Sequence, residues 1–390
     1  MRKLIICLLF LASCTKDEIV VPVAPQPVPS PKNYKLPSYE LQQSPVTIDL
    51  MALRAKYLVN GPWNIFAVAY LDINGDGNDD IFTGLSYHRN ERTAAQLYVY
   101  KNGEYVPDNS FFNEIPTFVN PRKAIVGDFN DDKRPDIFVA AHGYDQPPYP
   151  GEYTQLILSN SNGKYDVKKF EDKIAFYHGA TSGDIDNDGD LDIFVLHRSL
   201  SYFLINDGKG NFTYSTSQID LNDINAQYTC ELMDINKDGY IDLVMGGHEF
   251  DYNGATRIYW GNSTHTFTDK TIIPPVKYYG VITDIDMADL DGDGINEMAI
   301  TRAGGYDNYV NFYDGWYIQI LKVDNKQPYD VTNNFIDNNS LGSIGDYNWI
   351  VWMRFQDYDK NGKIDFFSTL CSEMKLVRWE LENKKLKRIN

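Results

Sequence analysis

Six short stretches of the 390-residue chain carry side-chain oxygens at alternate positions and reach a further carboxylate eight residues after the first. The first is Asp72, Asn74, Asp76 and Asp80; the second is Asp128, Asn130, Asp132 and Asp136. The third is Asp184, Asp186, Asp188 and Asp192; the fourth is Asp234, Asn236, Asp238 and Asp242. The fifth is Asp289, Asp291, Asp293 and Glu297; the sixth is Asp357, Asp359, Asn361 and Asp365. Oxygens at positions 1, 3 and 5 of a tight loop converge on one point, and a carboxylate at position 9 closes the shell. A backbone carbonyl near position 7 can add to it. Glycine at position 6 permits the sharp turn in five of the loops, whereas the second has Lys133 there. A hard, all-oxygen shell of this size suits calcium better than magnesium, which keeps more water, or zinc, which prefers nitrogen and sulfur. The expectation is about six structural calcium sites, weakest at the second loop.

An EF-hand begins in the same way but requires a glutamate at position 12 and a helix after it. Here position 12 is Thr83, Val139, Val195, Met245, Ile300 and Ser368, and apolar strand residues follow position 9. Asp, Asn and Gly also favour plain turns, but a plain turn does not explain six copies. Their first residues lie 56, 56, 50, 55 and 68 positions apart, which is the signature of a repeat architecture.

Each repeat orders its signals alike. An apolar strand leads into the loop and a second leaves it, as in Ile137, Phe138 and Val139. A third follows, such as Arg257 to Trp260, and a Gly/Asn turn gives a fourth, such as Asn211 to Tyr214. Four strands in roughly 55 residues make one propeller blade. The fold class is therefore all-β, a β-propeller of four-stranded blades with the calcium loop between strands one and two. Six blades are favoured, seven are the runner-up, and residues 46–62 are the candidate for a closing strand. Through its loop motif the chain resembles the FG-GAP (VCBS-type) repeat family over about residues 60–390. That resemblance implies an integrin-like propeller and calcium loops, and no single function.

Loops between strands two and three, and between blades, open on the disc face opposite the calcium loops. Five of the six histidines fall there. His88, His142, His197 and His248 follow a second strand, 13 to 16 residues past the first loop Asp, and His178 precedes the third blade. Arg302 takes the equivalent place in the fifth blade and Cys371 in the sixth. Tyr144, Asp145, Gln155 and Tyr177 lie in the same stretches, and the run from His142 to Gln155 resembles a pattern in bacterial members of the family. Aromatic faces with a few hydrogen-bonding side chains suit sugar rings, so these residues other than Cys371, ten in all, are the candidate ligand site. Inherited strand-end histidines that merely pack are the competing account. No catalytic residue is singled out.

The formal net charge of −18 disfavours nucleic acid and anionic lipid surfaces. There is no Walker loop, dinucleotide fingerprint, paired-histidine metalloprotease motif or nucleophile elbow. Cys230 and Cys371, in non-adjacent repeats, read as buried small hydrophobes. Arg2 and Lys3 precede an apolar run too short to span a bilayer. Leu11, Ala12, Ser13 and Cys14 then resemble a bacterial lipobox, which implies cleavage after residue 13 and a lipid on Cys14. Lys16, Asp17 and Glu18 resemble an acidic export tag of Bacteroidota-like bacteria, and five prolines from Pro22 to Pro31 favour an extended tether. The organisation expected is a signal peptide over 1–13, an anchored tether over 14–45 and a propeller over 46–390. The function expected is that of an outer-membrane, surface-exposed lipoprotein binding a glycan or a partner protein. A polysaccharide lyase and a non-catalytic scaffold are the alternatives.

Overall fold

The computed structural model describes residues 48–57, 64–87, 89–197, 201–220, 227–250, 254–305, 313–337, 348–358, 361–371 and 375–389. The leader, Cys14, the tether, His88 and Asp359 lie outside them.

Among the described residues, six antiparallel sheets of four or five strands follow one another along the chain, and a small two-stranded sheet pairs Thr93–Ala94 with Thr117–Phe118. The strands nearest the axis are Asn64–Leu71, Pro121–Gly127, Tyr177–Gly183, Gln227–Met233, Val281–Ala288 and Ile350–Gln356. Each enters one of the acidic repeat loops and returns as a second strand: Asp80–Ser86, Asp136–Ala141, Asp192–His197, Asp242–Gly247, Glu297–Ala303 and Asp365–Leu370. Two further strands complete each blade, so the six-bladed reading holds.

The second strands are buried along almost their whole length. Successive side chains point to opposite faces of a strand, and here each face meets a different neighbouring blade. Ile193 and Val195 pack toward the second blade, while Phe194 and Leu196 pack toward the fourth. Sequence runs that look continuously apolar are therefore alternating sets assigned to two seams. Six core clusters result, one for each seam between neighbouring blades.

The closing seam draws on the segment before the first blade. Ile48–Asp49 adds a two-residue strand to the sixth blade, pairing Leu376 and Lys375. The helix Leu50–Tyr57 follows, and Leu50 packs in one cluster with Val68 and Tyr70 of the first blade and Phe367 and Leu376 of the sixth. Tyr70 meets Trp352 edge-on at 5.1 Å. The closing strand expected within 46–62 is thus present, though short. Cys230 is buried between blades three and four as expected; Cys371 is only half-buried, and both are free thiols.

Candidate functional site

All six loops share one internal wiring. The first Asp accepts a hydrogen bond at Oδ2 from the position-6 amide, donated by Gly77, Lys133, Gly189, Gly239, Gly294 and Gly362. Position 6 is left-handed throughout, and Lys133 holds φ 68° where the others are glycine. A side chain there costs about 1–2 kcal/mol, which agrees with a weaker second loop. The position-9 carboxylate accepts the position-2 amide in every loop. In blades one to four its other oxygen accepts an amide at the end of the third strand, from Tyr100, Ser159 and Asn206 within it and from Gly261 just after it. Position 9 is therefore also a clamp between loop and sheet, a role the motif alone does not reveal. Each oxygen has a second lone pair, so the clamp and metal ligation are compatible.

Two loops bring three carboxylates to within 4.8 Å of one another: Asp184, Asp186 and Asp192, and Asp289, Asp291 and Glu297. Both groups could hold a metal ion. In the third loop the fit is direct, because Oδ1 of Asp184 and Oδ1 of Asp186 are buried and have no hydrogen-bond partner. Burial first, and then the charge of Asp188, raises the pKa of both. A cation would relieve that repulsion. In the fifth loop the same centre holds the ammonium group of Lys322, 2.8 Å from Glu297 and 3.1 Å from Asp291.

The opposite face is built by a repeated irregularity. Each inner strand skips one residue in its pairing with the second strand: Phe66, Arg122, His178, Tyr228, Thr283 and Val351. A bulge re-aims its extra residue. Arg122, His178, Tyr228, Thr283 and Val351 all line an open axial cavity, a funnel at the centre of the ring. Every one of the six bulged residues lies six positions before the first Asp of its loop. That spacing was available in the sequence, and it marks Tyr228 and Thr283 alongside Arg122 and His178.

An arc of rings runs round the mouth of this funnel. His142 stacks on Phe176 at 4.2 Å and lies 4.9 Å from His178. His178 lies 4.6 Å from Tyr228, and Tyr228 lies 4.5 Å from His248. Tyr313 stands 6.3 Å from His248 and 4.8 Å from Trp349. Sequence reading found the histidines but passed over Phe176, Tyr228 and Tyr313, since isolated aromatics within or beside strands look like core. Burial, and after it the nearby Arg122 guanidinium, holds His178 well below the ordinary imidazole range, so it is neutral at pH 7.

The remaining candidates are placed differently. His197 and Tyr202 meet Tyr177 edge-on at 5.8 and 5.7 Å, and Tyr177 is buried, pointing away from the funnel because it alternates with His178. Gln155 is buried and donates to the Thr117 carbonyl. Arg302 is fully buried, paired with Glu249 at 2.7 Å and bonded to Gln319. Tyr144 is half-buried and Asp145 exposed on the loop after His142. Among the described residues, no group of three histidines, cysteines or acids at metal-binding distance forms on this face.

At the base of the funnel, charges cross the axis. Lys123 of the second blade bonds Glu231 of the fourth at 3.2 Å and Asp284 of the fifth at 2.9 Å. Glu231 also accepts from Thr181 of the third blade, and Asp284 from the Met353 amide of the sixth.

Comparison with known proteins adds the following. FG-GAP-like repeats match residues 72–139, 184–245 and 234–300. No curated protein matches the sequence. Among solved structures, an Agrocybe aegerita lectin recognising non-reducing terminal N-acetylglucosamine is 12% identical, with a TM-score of 0.48 over 84% of this chain and 80% of that one. The Dos1 propeller is 10% identical, with a TM-score of 0.45 over 84% and 71%. BBS1N in complex with ARL6DN is 10% identical, with a TM-score of 0.40 over 83% and 80%. With six four-stranded blades in a ring and the repeat matches lying on the loops of five of them, the chain is an FG-GAP repeat β-propeller.

Proposed function

We propose that this propeller is a calcium-stabilised binding module whose axial funnel takes a glycan. The observation that carries the reading is the arc of rings from His178 to Trp349, backed by the buried His142, around a cavity lined by bulged residues of successive blades. Rings offer flat apolar faces to the C–H face of a sugar, while Arg122, Thr283 and the neutral His178 supply polar edges. Calcium is the ion that fits the all-oxygen third loop, and the first and fourth loops offer the same donor chemistry. The test is a glycan array on the calcium-loaded chain, followed by titration of any hit. Tyr228→Ala and Trp349→Ala each lower affinity about tenfold, the loss of roughly 1.4 kcal/mol of stacking, with calcium content unchanged. Unaltered affinity in both variants counts against the funnel, and binding of a protein partner in place of any glycan redirects the ligand class.

A second reading has its own support. Arg122, His178 and Tyr228 come from three successive blades and line one cavity. A neutral histidine beside a tyrosine and a guanidinium is the set an eliminative polysaccharide lyase needs: base, acid and a cation against a uronate carboxylate. Incubation of the protein with uronate polymers and measurement of the absorbance of unsaturated ends decides it, since a binding module releases none.

The lipobox-like residues ending at Cys14 support a diacyl anchor, and the acidic stretch after them supports exposure at the cell surface. Cys14→Ala then shifts the protein from the membrane fraction to the soluble fraction. Retention in membranes after a salt wash argues against that anchor.

A further inference from the structure

The fifth loop differs from the others at its centre. Nζ of Lys322 lies 2.5 Å from Asp293, 2.8 Å from Glu297 and 3.1 Å from Asp291. These are ligand positions 5, 9 and 3 of the loop motif. The lysine side chain is 11% exposed and Glu297 is fully buried, so the ammonium is enclosed by the shell. The pairing register shows how unusual this residue is. Lys322 follows Leu321, the partner of the first residue after position 9. The equivalent residues of blades one to four are Val99, Leu158, Ile205 and Trp260, and that of the sixth is Glu380. Position 9 changes in the same blade, since Glu297 is the one glutamate among six. Its longer arm offers Oε1 to Lys322, where Asp80, Asp136, Asp192 and Asp242 bond an amide at the end of the third strand. A second ammonium, Nζ of Lys237 from the fourth loop, donates to the Gly294 carbonyl at 2.5 Å.

We propose that Lys322 is the built-in cation of the fifth loop, sitting where its sister loops present their oxygens to a metal ion, and that this blade is therefore metal-independent. The proposal rests on the metal reading of the other loops. An ammonium satisfies three carboxylates at hydrogen-bond distance and repels a divalent cation arriving at the same point. A residue that the loop motif counts as part of a metal site is thus part of an internal ion cluster.

The test counts calcium ions bound per full-length chain by equilibrium dialysis. Lys322→Met binds one ion more than the wild type, and adding Asp293→Asn to it removes that ion. Asp293→Asn alone leaves the wild-type count unchanged, whereas Asp184→Asn lowers it by one. If Lys322→Met binds no more than the wild type, or if Asp293→Asn alone loses an ion, the proposal is overturned. An unchanged count in Asp184→Asn speaks instead against the third loop as a metal site and leaves the Lys322 comparison decisive. Lys322→Gln, closer in shape, replaces the methionine variant should the latter misfold.

Discussion

Metal-stripped protein melts far below the calcium-loaded protein at pH 8, and the gap narrows at pH 5. Binding only to the folded state stabilises it by about 2.7 kcal/mol per site at a hundredfold excess over the dissociation constant. Several loops acting together therefore move the melting temperature by tens of degrees, on the scale of about 4 °C or more per kcal/mol for small domains and about half that for larger ones. The pH dependence follows from the clamp carboxylates. Burial raises Asp80 and Asp136 to about 7 and Asp192 and Asp242 to about 8 in the metal-free fold. Unfolded aspartates ionise near pH 4. Between about pH 4 and pH 8 the metal-free fold holds protons that the unfolded chain releases, so its stability falls as pH rises through that window. Calcium offsets the cost of the buried charge that causes this loss. Thermal unfolding of protein freed of metal, verified by elemental analysis, measures the gap at both pH values. Equal melting temperatures with and without calcium at pH 8 would remove metal from the account of this fold.

Lys123→Met destabilises the chain by about 3–5 kcal/mol, the range for breaking a buried ion cluster from one side. Burial opposes the charge of Lys123, but Asp284 and Glu231 outweigh it and hold the pKa above its usual value. Removing the ammonium leaves two carboxylates, 1% and 4% exposed, on neighbouring blades without their counter-charge. The triple variant Lys123→Met, Glu231→Gln, Asp284→Asn recovers most of the loss, because it removes the uncompensated charge along with the pair. Urea unfolding of both variants provides the comparison. A single variant as stable as the wild type would show that the cluster contributes nothing to holding the blades together.

Much of this was legible from residues alone, for a physical reason. The loop motif is local, so Asp72 to Asp80 and its five copies announce themselves within nine positions, and their spacing sets the number of blades. Features that depend on pairing between distant segments were not legible. The clamp by Asp192 needs the amide of Asn206, which only the fold brings near. Lys322 meets Glu297 through strand register, 25 positions away in sequence. Arg302 aligns with His142 and His248 by its distance from the loop, yet Glu249 of the preceding blade draws it into the interior. The funnel lies between these cases. Its bulged residues keep a fixed distance from the loops, but their chemistry varies from Arg122 to Val351, so no motif marks them.

The division of each second strand between two seams governs how this molecule comes apart. A stack of repeats in a line has ends, and it can fray from them one unit at a time. Here Phe194 and Ile193, adjacent in the chain, serve opposite neighbours, and Leu50, Phe367 and Leu376 join the last blade to the first. No blade can leave without opening two seams at once, and no blade is terminal. The ring therefore melts in one cooperative step, and damage at any single seam is felt as a loss of the whole.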